Sequence, residues 1–222
     1  VGNISSQKIP ATNGGLLLMV DGIDGVGKST QIEILKQRLM SEGHKVETSR
    51  LPGGTEIGEA LRNVMLSDLP RTSLTDVYIA IAMNTELAVQ VKKWRQDNII
   101  VLVDRSPFCL IAYQGFAEKA DLEIASTMFN RAMELLQPEQ VIIYDLPTNI
   151  ALGRDGVSKH KKDYYTKNGS EFFDRTRQGF KYAVSNFPKN VQLQNIEDMS
   201  VAEVAELTYV MMRDAITNSI SE

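Results

Sequence analysis

The stretch DGIDGVGKSTQ, Asp21 to Gln31, sets three glycines, a lysine and two hydroxyls directly after the apolar run LLLMV. The chemistry these residue types share is the handling of phosphate. Gly22 to Ser29 has the spacing G-x-x-x-x-G-K-S, the P-loop pattern, and it stands between a strand-like and a helix-like segment, the context that pattern requires. Its glycines allow the backbone of Gly22, Ile23, Asp24, Gly25, Val26 and Gly27 to wrap a phosphate chain with N–H groups pointing inward. The N-terminus of a helix starting near Lys28 adds to that field. Lys28 is placed to neutralise the β- and γ-phosphates of ATP, and Ser29, followed by Thr30, to offer a hydroxyl to Mg²⁺. The bland alternative is a glycine-rich turn feeding an ordinary helix, and it leaves the lysine and serine in register unexplained.

A second pair lies in IIVLVDRS. Asp104 closes an apolar strand-like run, where open α/β sheets bind ligands, and from there it reaches the magnesium through water. Arg105, beside it, is placed to hold a second phosphate. An isolated Asp-Arg pair reads as a strand end with a solvated arginine; the upstream P-loop pattern is what shifts the reading toward a site.

These groups need a scaffold that brings strand ends together. The runs LLLMVD (Leu16 to Asp21), HKVETS (His44 to Ser49), IIVLVD (Ile99 to Asp104), QVIIYDL (Gln140 to Leu146) and VQLQNI (Val191 to Ile196) alternate with helix-length segments. Apolar runs separated by helices indicate parallel strands buried on both faces. Thr30 to Met40 carries Ile32, Leu35 and Leu39 at helical spacing, and Leu74 to Trp94 is apolar around most of its circumference. The expected architecture is a three-layer α/β sandwich around about five parallel strands, of the P-loop nucleoside triphosphate hydrolase type.

The 222 residues are 43% hydrophobic, enough for one domain with one core. A formal net charge of -4 argues against a chain held to nucleic acid or an anionic membrane by bulk electrostatics. A single cysteine, Cys109, makes no internal disulfide and no metal-ligand spacing, which points to a reducing, cytoplasmic location. The apolar runs are strand-sized, the N-terminus has no signal-peptide pattern, and residues 1–14 read as a flexible arm ahead of a domain at 15–222.

Taken together, GIDGVGKSTQ, PGGTEIGEALR (Pro52 to Arg62), VDRS (Val103 to Ser106), AYQGF (Ala112 to Phe116) and FFDRTRQGF (Phe172 to Phe180) resemble the thymidylate kinase family, bacterial type. Their order and intervals match over nearly the whole chain from Leu16 onward. The resemblance implies a nucleoside monophosphate kinase fold and transfer of the ATP γ-phosphoryl group to the 5′-phosphate of thymidylate or a related deoxynucleotide. It further implies that Arg62 and Arg105 contact the acceptor phosphate, that Tyr113 and Gln114 lie against sugar and base, and that Asp24 sits near the 3′-hydroxyl. The polar, basic segment Gly153 to Ser170 falls where the family has its lid, with Arg154 the phosphate contact and Lys159, Lys161 and Lys162 adding charge. Dimers through helix faces are typical of the family, and Val77 to Val91 would suit that.

Several positions depart from the family pattern. Leu51 replaces a glutamate before PGG. Ala80 stands for an aromatic that stacks on thymine, Asn84 for an arginine that hydrogen-bonds the base, and Leu110 for a small polar residue. Asp163-Tyr164 replaces an Asp-Arg pair, and Ser106 a tyrosine. Phosphate and sugar contacts survive while base-reading contacts change, so the expectation is a deoxynucleotide acceptor with looser base selectivity. Two other functions compete: a deoxynucleoside kinase, which would not need PGGT with Arg62, and a non-catalytic nucleotide-binding module.

Overall fold

The computed structural model describes residues 15–154, 165–187 and 190–220. Five strands, β1 (Leu16–Asp21), β2 (Val46–Arg50), β3 (Ile100–Asp104), β4 (Gln140–Asp145) and β5 (Val191–Asn195), form one sheet in the order β2-β3-β1-β4-β5. Every pairing is parallel. The three central strands are the most apolar ones, because each is covered on both faces; β1 and β4 are buried at every position. His44 lies ahead of its strand, which starts at Val46, and β2 is half exposed as befits a sheet edge.

Helices α1 (Lys28–Ser41) and α7 (Val201–Ile220) pack together on one face. On the other lie α2 (Glu56–Met65), α3 (Ser73–Gln96), a π-helix (Leu110–Ala117), α4 (Leu122–Leu136), the short α5 (Thr148–Leu152) and α6 (Gly169–Asn186). This is the expected three-layer sandwich. Local side chains cap α2 and α3: Thr55 Oγ1 accepts from Gly58 N at 2.9 Å, and Thr72 Oγ1 from Thr75 N at 3.2 Å. The long helix α3 buries Val77, Ala80, Met83, Asn84, Leu87 and Val91 on one side and leaves Tyr78 and Val89 exposed on the other.

Because β1 lies between β3 and β4, the chain leaves the sheet in opposite directions on its two sides. A crevice opens at the carboxyl ends of the central strands. Asp21 and Asp104 both end strands there. No helix among the described residues is long and apolar enough to cross a membrane. Residues 1–14, expected as an arm, lie outside the described residues.

Candidate active site

The floor of the crevice is Asp21, fully buried at the end of β1. A carboxylate in that position needs donors. Ser106 supplies two to Oδ2, from its backbone N–H at 2.9 Å and its hydroxyl at 2.6 Å, and Gly22 N donates to Oδ1 at 2.8 Å. Burial still pushes the Asp21 carboxyl above its usual range, against the opposing pull of Arg105, Ser106 and Lys28. The serine that reads as a departure in the sequence is therefore a structural partner of the strand-end acid.

Above this floor the P-loop turns into α1. Gly27 caps the helix at φ 99°, a left-handed conformation that favours glycine, and no side chain caps the helix end. The first-turn N–H groups thus face the crevice as an anion site. Lys28 is only 7% exposed and folds back so that Nζ donates to the carbonyls of Gly22 (3.1 Å) and Ile23 (3.0 Å). Burial and the neighbouring Arg105 lower its pKa, while Asp24, Asp104 and Asp21 hold it up. An arriving polyphosphate would strengthen the second influence and keep the ammonium charged.

Ser29 Oγ donates to Asp104 Oδ2 at 2.7 Å, at the exposed mouth of the loop. The same mouth is lined by Thr48, Ser49 and Arg50 from the β2 edge. Among the described residues no group of three or more His, Cys, Asp or Glu side chains is arranged to hold a metal ion. A hydroxyl and one carboxylate are nevertheless an all-oxygen pair of the kind Mg²⁺ uses when waters and substrate phosphates complete its shell. The donor set fits that ion.

Arg105 links the loop to the next compartment. Its backbone is left-handed at φ 76°, and its N–H donates to Val20 O at 2.7 Å, so the chain turns sharply as it leaves β3. The guanidinium pairs with Asp24 and donates to Tyr113 Oη at 3.0 Å. Against the burial that would raise it, Arg105 and Lys28 hold the Asp24 carboxyl below its ordinary value. Desolvation works the other way on Tyr113 and keeps its hydroxyl protonated far above the usual range.

Beyond that pair opens a cleft of about 130 Å³. It collects six of the residues singled out by sequence: Asp24, Arg62, Asn84, Arg105, Tyr113 and Gln114, together with the departures Leu51, Ala80 and Leu110. Arg62 is steadied by the Pro52 carbonyl at 2.6 Å, and the Leu51–Pro52 peptide is cis. Arg154, exposed at the end of α5, reaches across the P-loop to the Gly25 carbonyl at 3.0 Å. Lys159, Lys161, Lys162 and the Asp163-Tyr164 pair lie outside the described residues.

Sequence reasoning missed Asp21, Met83, Cys109 and Tyr165, and with them Met65 and Leu66 on the cleft lining. Asp21 was read only as a strand end, and its role depends on Ser106, 85 residues away. Met83 was detectable, since it follows the singled-out Ala80 by three positions on the same buried face of α3. Cys109 and Tyr165 line the cleft with no local signal; Tyr165 meets Gln114 only through the tertiary fold.

Comparison with known proteins points one way. The thymidylate kinase family model matches residues 20–207. A thymidylate kinase of Thermosipho africanus is 34% identical over 167 residues, covering 74% of this chain and 82% of the relative. One from Rhodopirellula baltica is 33% identical over 196 residues, covering 86% and 78%. The crystal structure of thymidylate kinase from Ehrlichia chaffeensis superposes with a TM-score of 0.69 at 25% identity, covering 90% of this chain and 99% of that one.

Proposed function

The chain belongs to the thymidylate kinase family, and we propose that it transfers the γ-phosphoryl group of ATP to the 5′-phosphate of thymidylate, giving ADP and thymidine diphosphate. The observation that supports this most directly is the Arg105–Asp24 pair, which stands at the join between the P-loop and a cleft carrying a second arginine, Arg62. Two anionic substrates bound on either side would meet there in line.

In this reading the N–H groups of Gly22 to Ser29 and the Lys28 ammonium hold the ATP phosphates. Arg105 and Arg62 hold the acceptor phosphate. Asp24 and Tyr113 border the sugar, with Gln114 and Asn84 facing the base. Ser29 and Asp104 hold Mg²⁺, which supplies charge neutralisation at the phosphates. Little covalent chemistry is asked of the protein, so catalysis rests on positioning and on cations aimed at the transferring group. Arg154, already resting on the P-loop, is the residue of the lid around 153–170 that adds charge at the phosphates, within a single domain at 15–222.

A coupled assay for ADP formation tests the reading, run with thymidylate and with deoxythymidine as acceptors. Turnover is expected with thymidylate, and Lys28→Ala should lower it roughly 10²-fold or more, because a cation facing the transferring phosphates is lost. Equal phosphorylation of the nucleoside would favour a deoxynucleoside kinase, and ATP binding without turnover a non-catalytic module. A cytoplasmic homodimer completes the proposal, its contact resting on the face of α3 that carries Tyr78 and Val89. Sedimentation at micromolar concentration should show the dimer; a monomer alone would remove that part.

A further inference from the structure

Two buried amides set the polarity of the cleft. Asn84, on α3, is 4% exposed, and its Nδ2 donates to the Ala80 carbonyl at 2.8 Å. That bond fixes the orientation of the amide, because the opposite one would set two acceptors face to face. Asn84 Oδ1 is then buried with no hydrogen-bond partner, while the residue lines the cleft. Buried acceptors are rarely left this way unless something arrives to satisfy them.

Gln114, on the π-helix, is 3% exposed and is the other amide on the lining. Its Nε2 donates to Tyr165 Oη at 3.3 Å. A row of titratable groups stands behind it. The Tyr165 hydroxyl faces the carboxyl of Glu118, which in turn faces Asp76, and Asp76 accepts from Arg71 Nε at 2.6 Å. Tyr165 Oη thus stands between the Gln114 amide and the Glu118 carboxyl. Each amide nitrogen has one hydrogen committed to a protein acceptor, and the oxygen of each is the acceptor left for a ligand. The wall around them, Met65, Met83 and Leu110, is apolar.

We propose that this cleft accepts a pyrimidine bearing an exocyclic amino group, so that the chain phosphorylates deoxycytidylate as well as thymidylate. The inference rests on the kinase reading above and deepens it. Thymine presents a single donor, N3–H, between two carbonyls, and satisfies one of the two oxygens. The 4-amino group of cytosine carries two hydrogens and satisfies both, from Asn84 Oδ1 and Gln114 Oε1. A site that hydrogen-bonds an N–H discriminates against bases lacking it. The chemical step is unchanged: a deprotonated 5′-phosphate oxygen forms a bond to the γ-phosphorus of ATP. The bond from that phosphorus to the bridging oxygen breaks, and ADP leaves with the electron pair.

The test is kcat and KM for deoxycytidylate, thymidylate and deoxyuridylate with the full chain, ATP and Mg²⁺, in the native protein, Asn84→Asp and Asn84→Leu, each first checked for folding by thermal melt. Native kcat/KM for deoxycytidylate should lie within about tenfold of that for thymidylate. Asn84→Asp, buried and protonated so that its hydroxyl takes over the bond to the Ala80 carbonyl, keeps the same acceptor toward the cleft and should hold the ratio of deoxycytidylate to thymidylate near its native value. Asn84→Leu should lower it by about tenfold, chiefly through KM. Thymidylate turnover with deoxycytidylate more than about 100-fold poorer, or a ratio unmoved by Asn84→Leu, would overturn the inference and leave the kinase intact. No turnover with any monophosphate would overturn the kinase reading and this one with it.

Discussion

Asp21 and Ser106 show how one strand end is made ready for chemistry. The carboxylate is buried beneath the P-loop and held by donors that include the Ser106 hydroxyl, which also accepts from Phe108 N at 3.2 Å. Removing that hydroxyl leaves the acid short of a charge-assisted bond and Phe108 N–H without its acceptor. Ser106→Ala is therefore expected to destabilise the fold by about 1–3 kcal/mol, read by urea denaturation. Unchanged stability would mean that water replaces the hydroxyl without loss. Cys109 sits on the same acid, its Sγ 3.3 Å from Asp21 Oδ2, and desolvation with the Asp21 charge pushes its thiol far above the ordinary value. It is a packing partner of the site rather than a nucleophile.

At the scale of elements, the π-helix does the positioning. Its wider turn, marked by the bond from Glu118 N to Tyr113 O at 2.9 Å, carries Leu110, Tyr113 and Gln114 on the cleft lining. Ile111 and Ala112 are completely buried behind them. Helix α6 holds this segment through Gly179: a Cβ there would lie 2.7 Å from Ala112 Cα and 2.9 Å from Phe116 Cβ. Alanine would gain up to about 1 kcal/mol in helix propensity. Forcing backbone apart costs about 1–3 kcal/mol, so the clash should win. Gly179→Ala is expected to lower Tm and, because the cleft residues move with the π-helix, to raise the acceptor KM. An equal or higher Tm would show that α6 can shift without cost.

For the whole molecule, the buried acids behind the cleft couple stability to pH. Burial, and then the neighbouring Asp76 charge, push the Glu118 carboxyl up to about 8, with Tyr165 and Arg71 pulling it back. Its ordinary value is 4.5, so the folded state keeps a proton that the unfolded chain releases. The resulting stability is fully present below the ordinary value and is lost as pH rises toward about 8. The fall is at most about 1.4 kcal/mol per pH unit for one proton. Asp24 and Asp145 are shifted downward and act only in more acidic solution. Denaturation at intervals between pH 5 and pH 8, with values chosen to span about this window, should show the decline in the native chain and a flatter profile in Glu118→Gln. The same slope in both would remove Glu118 as its source.

Much of this was determined by local order in the chain. A P-loop works through consecutive backbone groups, so the spacing of Gly22 to Ser29 carries its own geometry, and alternating apolar runs can only pack as a covered parallel sheet. Arg62, Arg105, Tyr113 and Gln114 were legible because each belongs to a short motif in register with that loop. The tertiary structure alone decided what depends on separation: Ser106 on Asp21, Tyr165 on Gln114, Gly179 against Ala112, and the acids Asp76 and Glu118 facing one another. It also decided the orientation of the Asn84 amide. The residue type offers a donor and an acceptor equally, and only the Ala80 carbonyl one turn back leaves the oxygen for the cleft.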